Sequence, residues 1–178
     1  MPRRCRECGS RFIKSFGVGT ERIEQEVHKL FPGARVARLD RDIMKTPEAA
    51  DLVFDRMVRG DADVLVGTQL VAKGFDLPNV TTIGVVNADT SLHFPDYRSS
   101  ERTFSLLTQV AGRAGRGTSP SQVFIQTYTP EHPAIRHARY HDYRGFFREE
   151  LEVRRQYKFP PFSYLIMAPY SHRAAPRP

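Results

Sequence analysis

The 178-residue sequence lacks the features of a membrane or secreted protein. Its apolar runs all fall well short of the roughly 18 residues that a membrane span requires. The first ten residues, MPRRCRECGS, are basic but are followed by no apolar stretch, so they do not resemble a secretory signal. There is also no internal repeat or low-complexity tract. These absences predict a cytoplasmic protein with no membrane partner.

A phosphate-binding loop is also missing. The pattern G-x-x-x-x-G-K-[ST] does not occur: GVGT, at 17 to 20, lacks the lysine, and MKT, at 44 to 46, lacks the glycines. The sequence therefore contains no loop of this type whose backbone amides could bind the phosphates of a nucleoside triphosphate.

The composition is that of a folded, basic protein. Apolar residues make up 40% and aromatic residues 11%, which suits one full domain with part of another. The net charge of +7 favours an anionic partner such as nucleic acid or a nucleotide. Much of this charge lies in residues 1 to 16, which could form either a phosphate-facing surface or an ordinary solvated end.

The two cysteines, Cys5 and Cys8, form the spacing C-R-E-C that places two thiolates on one metal ion. A closed zinc site needs four ligands, and the next candidate, His28, falls in a predicted helix. The pair could instead be free thiols or a redox C-x-x-C. A redox pair normally opens a helix after a strand, so half of a zinc site is favoured.

Hydrophobic periodicity alternates between strand and helix along the chain. It predicts a short strand and loop at 12–19 and strands at 34–39, 63–67, 80–89 and 121–128. Helices are predicted at 20–31, from the cap Thr46 to Gly60, and after Pro95-Asp96 to about Ala111. This alternation is typical of an α/β fold with a doubly wound parallel sheet. Ligands bind such sheets in the loops at the carboxyl ends of the strands.

Some of these elements carry more detailed predictions. Thr20 is a candidate N-cap for its helix, with Ile23, Val27 and Leu30 facing inward. The strand at 80–89 is almost wholly apolar or β-branched, as in a strand covered on both faces. The helix ending at Ala111 is expected to face inward through its apolar residues Phe104, Leu107, Val110 and Ala111.

The segment QVAGRAGRG, residues 109 to 117, carries two arginines among small residues directly after this last helix. A guanidinium group stays charged at working pH and its planar fork matches phosphate oxygens, so two of them suit a triphosphate. In phosphoryl transfer, such an arginine can contribute about three to five orders of magnitude in rate. The alternative is a basic helix terminus that pairs with its own carbonyls and macrodipole.

Two motifs in order resemble those of superfamily 2 helicases. GTQLVAKGFDLP, at 67 to 78, resembles the motif that follows a strand of the second motor lobe, and QVAGRAGRG resembles their last motif, Q-x-x-G-R-x-G-R. Together with GVGTERIEQEV, LDRD, PDYRSSERTFSLL and YKFPPFSYL, they are similar to the bacterial primosomal protein N′ family of replication-restart DNA helicases. The resemblance runs from Cys5 to about Leu165.

The resemblance implies roles for individual residues. Arg113 and Arg116 match the arginines that reach the γ-phosphate, with Gln109 beside them in the nucleotide cleft. Gly74 and Asp76 match positions near the ribose and phosphates, although Asp76 could simply cap its loop.

The remaining matches concern DNA and metal. Thr68 matches a position that touches the DNA backbone, and Lys73 could contact phosphate or be solvated. Cys5 and Cys8 match the last pair of the family's cysteine-rich zinc region.

The resemblance further implies a RecA-like second motor lobe at residues 13–140, after the end of a zinc-binding region at 1–12. A linker helix and the start of a C-terminal domain follow at 141–167, with a disordered tail at 168–178. The family's first motor lobe, which carries its phosphate loop and acidic D-E-x-H, has no counterpart in this sequence. The chain thus resembles a fragment with a truncated C-terminal domain and a foreign or frameshifted tail.

The function implied is ATP-dependent DNA unwinding in replication restart, with ATP-Mg²⁺ and Zn²⁺ as cofactors. The implied partners are forked or single-stranded DNA, other primosome proteins and single-stranded-DNA-binding protein. A fragment of this kind is expected to be inactive by itself. The alternative is a non-enzymatic domain that binds nucleic acid or a protein partner through its basic surface. A small zinc protein is a third possibility, which a total of two cysteines disfavours.

Overall fold

The computed structural model describes residues 19–40, 47–68, 80–112 and 121–168. In chain order these residues form α1 (Thr20–Leu30), β1 (Val36–Leu39), α2 (Pro47–Val58), β2 (Val64–Gly67), β3 (Thr82–Val85), α3 (Asp89–Leu92), α4 (Ser99–Ala111), β4 (Gln122–Ile125), α5 (Pro133–Ala138) and α6 (Tyr143–Gln156). None of the helices in these ranges is long and apolar enough to cross a bilayer.

The strands pair in parallel, which confirms an α/β fold with parallel strands. β1 pairs with β2 from Val36↔Val64 to Leu39↔Gly67, and β3 pairs with β4 from Thr82↔Gln122 to Val85↔Ile125. Among the described residues these are two separate two-stranded sheets. A single doubly wound sheet therefore remains a prediction, and the predicted strand at 12–19 lies almost wholly outside the described ranges.

The amino ends of β1 and β2 are tied together by Arg35 and Asp63. The Asp63 carboxylate accepts hydrogen bonds from the Arg35 amide at 2.9 Å and from its guanidinium Nη2 at 2.6 Å. These bonds lower the pKa of Asp63 from 3.8 to about 2. The pair therefore joins the two strands where they begin, next to the partners Val36 and Val64.

The first helix departs from its predicted packing. Gly19 is the N-cap of α1, and Thr20 is the first helical residue, so the prediction of Thr20 as the cap is wrong. Ile23 and Val27 are half-buried, as predicted for an inward face. Leu30, however, is 71% exposed, because the helix ends there and the chain turns away at Phe31.

Strand β3 is also shorter and less covered than predicted. It stops at Val85, and Asp89, predicted to end the strand, instead opens α3. Burial alternates along β3 between exposed and half-buried residues, and Val86 is 39% exposed. Within the described residues the strand is therefore covered on one face only. Its apolar sequence did not distinguish a strand covered on one face from a strand covered on both.

The main core lies around α4. Phe104 and Leu107 of α4 are buried, as predicted, and pack with Ala134 and Ile135 of α5 and with Phe146 of α6. Val110 and Ala111 are only half-buried, since they lie in the last turn. The core thus fixes α4 against two later helices that periodicity alone did not connect to it.

Candidate functional site

The first strand pair brings polar residues to one edge. Asp40 follows β1 and Thr68 follows β2, and the register Leu39↔Gly67 places both at the carboxyl end of the pair. Thr68 is exposed, whereas Asp40 is only 9% exposed. A hydroxyl on an open strand end can bind a phosphate oxygen without reading a base.

The amino end of α1 reaches the same edge. The Thr20 hydroxyl donates a hydrogen bond of 2.9 Å to Oδ2 of Asp40, 20 residues along the chain. This bond explains why Thr20 does not cap its own helix: its hydroxyl is used on a strand partner.

Carboxylates surround Arg38, an arginine of β1 near this edge. Arg38, on β1, lies 3.3 Å from Glu24 and 3.4 Å from Glu21 on α1, and its Nε lies 3.3 Å from Asp40. With three acidic neighbours and a side chain that is 24% exposed, Arg38 holds α1 onto β1 and is not available as an anion ligand.

The second strand pair ends at a buried carboxylate. Asp89, 6% exposed, accepts hydrogen bonds from the hydroxyls of Thr127 at 3.0 Å and Thr129 at 2.8 Å, and from the Tyr128 amide at 3.0 Å. Burial raises the pKa of Asp89, but these hydrogen bonds outweigh it and the pKa lies below its ordinary value. An ionised Asp89 therefore locks the loop after β4 onto the start of α3.

The last turn of α4 leads directly into the arginine segment. Gln109 is exposed on this turn, and the helix is capped at Gly112, whose amide donates to the Thr108 carbonyl at 2.9 Å. A Cβ on Gly112 would lie 3.2 Å from that carbonyl oxygen, a close contact that favours glycine. Residue 113 is thus the first residue beyond a rigid, capped helix.

Of the nine predicted site residues, the structure describes two. Gln109 and Thr68 are both exposed, as residues that meet a ligand should be. The other seven lie outside the described residues: Cys5, Cys8, Lys73, Gly74, Asp76, Arg113 and Arg116. In the described ranges no three His, Cys, Asp or Glu side chains are grouped to hold a metal ion, so the zinc site remains a prediction on Cys5 and Cys8.

The sequence analysis contained Asp40, in the LDRD motif, and Asp89, at the end of the predicted strand 80–89, without assigning them a role. Each is an aspartate that follows an apolar strand segment, and this pattern indicates a carboxylate at the carboxyl edge of a sheet. Their partners were not foreseeable, since Thr20 and Thr127 are 20 and 38 residues away.

A cavity of about 520 Å³ lies between β4 and α5, apart from the predicted residues that the structure describes. Its floor is apolar, with Val123, Ile125 and Ile135, and its rim carries Arg136 and Arg139. Arg136 is already paired with Glu149 at 2.6 Å.

A family model and several known proteins match this chain, and all of them are helicase or replication restart proteins. The model of the helicase conserved C-terminal domain matches residues 12–118, more than half of the chain. The replication restart protein PriA of Bacillus subtilis is 49% identical over 172 residues, covering 97% of this chain and 21% of the relative. The PriA proteins of Synechocystis and Treponema pallidum are 48% and 44% identical, over 94% and 93% of this chain.

The chain spans about a fifth to a quarter of the length of these relatives: 21% of the Bacillus subtilis protein, 20% of the Synechocystis protein and 25% of the Treponema pallidum protein. The resemblance to the replication-restart family read from the motifs is confirmed by these matches, which cover both the strand-end motif and the arginine segment.

Proposed function

The chain belongs to the family of the helicase conserved C-terminal domain, and from this premise we propose that it is the second, RecA-like motor lobe of an ATP-dependent DNA helicase of replication restart. ATP would lie between this lobe and a first lobe that supplies the phosphate loop. Opening and closing of the cleft would then move a DNA strand along a basic channel.

The observation that carries the proposal is the end of α4. A capped helix with Gln109 exposed on its last turn stops directly before Arg113, inside the region that the family model matches. Because α4 is packed against α5 and α6, the arginine segment starts from a rigid support. Rigid support is what a group needs in order to stabilise charge that develops only in the transition state.

The residues then divide by task. Arg113 and Arg116 would contact the γ-phosphate, and Gly74 and Asp76 would lie near the ribose and phosphates, with Gln109 beside them. Arginine suits this position because its charge persists at working pH and its fork binds two oxygens at once.

DNA would be held through its backbone. Thr68, exposed at the end of β2, and Lys73 would contact phosphates without reading sequence. Other primosome proteins and single-stranded-DNA-binding protein are the proposed protein partners.

Zinc would bind through Cys5 and Cys8, which supply two of the four ligands that a structural site requires. The remaining two would come from other residues of the cysteine-rich region or from a second copy of the chain. Such a site would stabilise the local fold and take no part in phosphoryl transfer.

The proposal is tested in a chimera in which the 172 matched residues of this chain replace the corresponding segment of the Bacillus subtilis relative. Arg116→Ala should lower the kcat of DNA-stimulated ATP hydrolysis by about two orders of magnitude or more, with a smaller change in apparent ATP affinity. Arg116→Lys should not restore it, because an ammonium group lacks the fork.

Arg144→Ala is the matched control, since Arg144 is an exposed arginine on α6 that is not assigned to the nucleotide. Full turnover in Arg116→Ala would overturn the role of Arg116 at the nucleotide. If DNA binding then fell equally in Arg116→Ala and Arg144→Ala, the result would support a domain that binds nucleic acid through its basic surface. The 178-residue chain alone is expected not to hydrolyse ATP, because its sequence contains no phosphate loop.

A further inference from the structure

One arginine joins α4 to two later parts of the chain. Arg154, on α6, is 14% exposed, and its Nη2 donates to Glu101 of α4 at 2.7 Å. Its Nε donates at 2.9 Å to Glu150, one turn earlier on α6, and its Nη1 donates at 3.4 Å to the carbonyl of Pro160. Three nitrogens of one planar group thus bind three separate acceptors.

Aromatic rings complete the arrangement. The Arg154 guanidinium lies 5.3 Å from the centre of the Tyr97 ring, in the loop just before α4. Tyr97 in turn lies 5.7 Å from Phe159, in the segment that follows α6. We call Arg154 and its partners Glu101, Glu150, Tyr97 and Pro160 the Arg154 junction.

Only arginine suits the junction. A lysine ammonium is a single point charge and cannot reach acceptors in three directions while lying flat over a ring. The junction is also sensitive to loss of its cation, because Glu150 is itself only 13% exposed and would become a largely buried, unpaired carboxylate.

The junction lies at one end of the helix whose other end carries the proposed catalytic arginines. Glu101 is in the first turn of α4, and Arg113 follows its last turn. At about 1.5 Å per residue, the ten residues from Glu101 to the end of the helix at Ala111 span roughly 15 Å, and the helix transmits the position of Glu101 over this distance. Phe146, packed on Phe104 at 4.3 Å, supports α4 between these two points.

We propose that Arg154 is a positioning residue, which fixes α4 against α6 and the segment after it and thereby sets the point from which Arg113 and Arg116 reach the nucleotide. Movements of the chain beyond α6 would be transmitted to the arginines through this junction. The catalytic consequence rests on the proposed helicase function, whereas the mechanical coupling does not.

The coupling is tested in the 178-residue chain by amide hydrogen exchange. Arg154→Lys and Glu101→Gln should each raise the exchange rate about tenfold or more in residues 97–112 and 157–162, while residues 133–138 of α5 stay unchanged. Glu101→Gln keeps the side-chain shape at a half-exposed position, so it remains folded even if a change at Arg154 does not. Arg148→Lys, at an exposed α6 arginine, is the matched control and should change nothing.

The consequence for turnover is tested in the chimera. Arg154→Lys should lower kcat about tenfold with the KM for ATP within about twofold of its original value, because the arginines act in the transition state. In a background that carries both Arg113→Ala and Arg116→Ala the same change should cause no further loss, since both groups being positioned are gone.

The outcomes separate the two proposals. If Arg116→Ala leaves ATP hydrolysis intact, the proposed function fails whatever the exchange rates show. If Arg116→Ala abolishes turnover but the Arg154 and Glu101 variants exchange and turn over like the parent protein, the positioning role of Arg154 is wrong. Uniformly faster exchange that includes α5 would also overturn it, since that result describes general destabilisation.

Discussion

Phe146 of α6 stacks on Phe104 of α4, with ring centroids 4.3 Å apart and ring planes 2° from parallel. Both side chains are nearly buried, at 3% and 5% exposure. The stack joins the helix that precedes the arginine segment to a helix beyond residue 140, where the sequence predicted a boundary between the motor lobe and a linker. The contact shows that α6 shares the core of α4.

Removal of this ring should be costly. Phe146→Ala is expected to lower the free energy of unfolding by about 3–5 kcal/mol, because it removes a buried aromatic side chain and leaves a cavity. Phe147→Ala, the next residue, should cost much less because Phe147 is 49% exposed. Urea denaturation of both variants checks the difference, and equal losses would contradict the assignment of Phe146 to the core.

The sequence predicted the elements that depend on local patterns. β1, β2 and β4 lie within their predicted segments, and α4 ends at Ala111 as expected, because strong apolar periodicity and flanking turn residues mark them. α3 and α5 were not predicted, since four- and six-residue helices carry too few turns for a period to be visible.

Errors in the prediction came from distant partners. The hydroxyl of Thr20 was expected to cap α1, but Asp40 binds it instead. In the Arg154 junction, likewise, Arg154 binds Glu101 from 53 positions away, and no spacing rule connects the two residues. The same holds for the candidate site. Its motifs could be recognised in the sequence, whereas the hydrogen-bond partners of Asp40 and Asp89 could be identified only from the folded structure.

Glycine is required at position 145 by a contact across the α5–α6 turn. A Cβ there would collide with the Asp142 carboxylate and with the His137 ring. Asp142 caps α6 by accepting from the Gly145 amide at 2.9 Å, so the cap would be displaced. Gly145→Ala should therefore destabilise the chain by about 1–2 kcal/mol, although alanine favours a helix interior by about 1 kcal/mol.

A double-variant cycle isolates the cause. In an Asp142→Ala background the carboxylate is absent, so Gly145→Ala should cost less than it does alone. Free energies of unfolding from urea titrations of the four proteins give the coupling. Strictly additive losses would show that Asp142 is not the group that the new methyl meets.

His132 makes the stability dependent on pH. Its ring caps α5 by accepting from the Ala134 amide at 3.2 Å, and only the neutral ring can accept there. Burial lowers the pKa of His132 below 6.5, with smaller opposing effects from Glu150 and Asp89 and a lowering one from His93.

The sign follows from the lowered pKa. Above about pH 6.5 the His132 ring is neutral in the folded and in the unfolded chain, and the cap contributes fully to stability. Below about pH 6.5 the ring takes up a proton more readily in the unfolded chain than in the folded one. The free energy of unfolding therefore falls as the pH decreases through the folded pKa. His132→Asn keeps an acceptor at the cap but does not titrate. Thermal unfolding between pH 5 and 8 should therefore show a smaller loss at low pH in His132→Asn, and parallel curves would rule out His132 as the source.

Asp89 provides the sharpest test of the strand-end geometry. Asn has nearly the same shape, but in Asp89→Asn one carboxylate oxygen becomes an NH₂ group, and that group must face either the Tyr128 amide or the two threonine hydroxyls. If the NH₂ group faces the Tyr128 amide, two donors meet and that bond is lost. If it faces the threonines, their hydroxyls lose the charged oxygen that both donate to and can bond to the NH₂ group only by accepting from it. In either case we expect a loss of about 1–3 kcal/mol in the free energy of unfolding. The local signature should be faster hydrogen exchange of the Tyr128 amide, while the Gly112 amide at the end of α4 keeps its protection. Thr129→Val is the matched control, because it removes one hydroxyl donor at similar volume but leaves the carboxylate ionised and the Tyr128 bond intact. If Asp89→Asn unfolds like the parent chain and the Tyr128 amide exchanges at the same rate, Asp89 does not hold the loop after β4 in the way that these distances indicate.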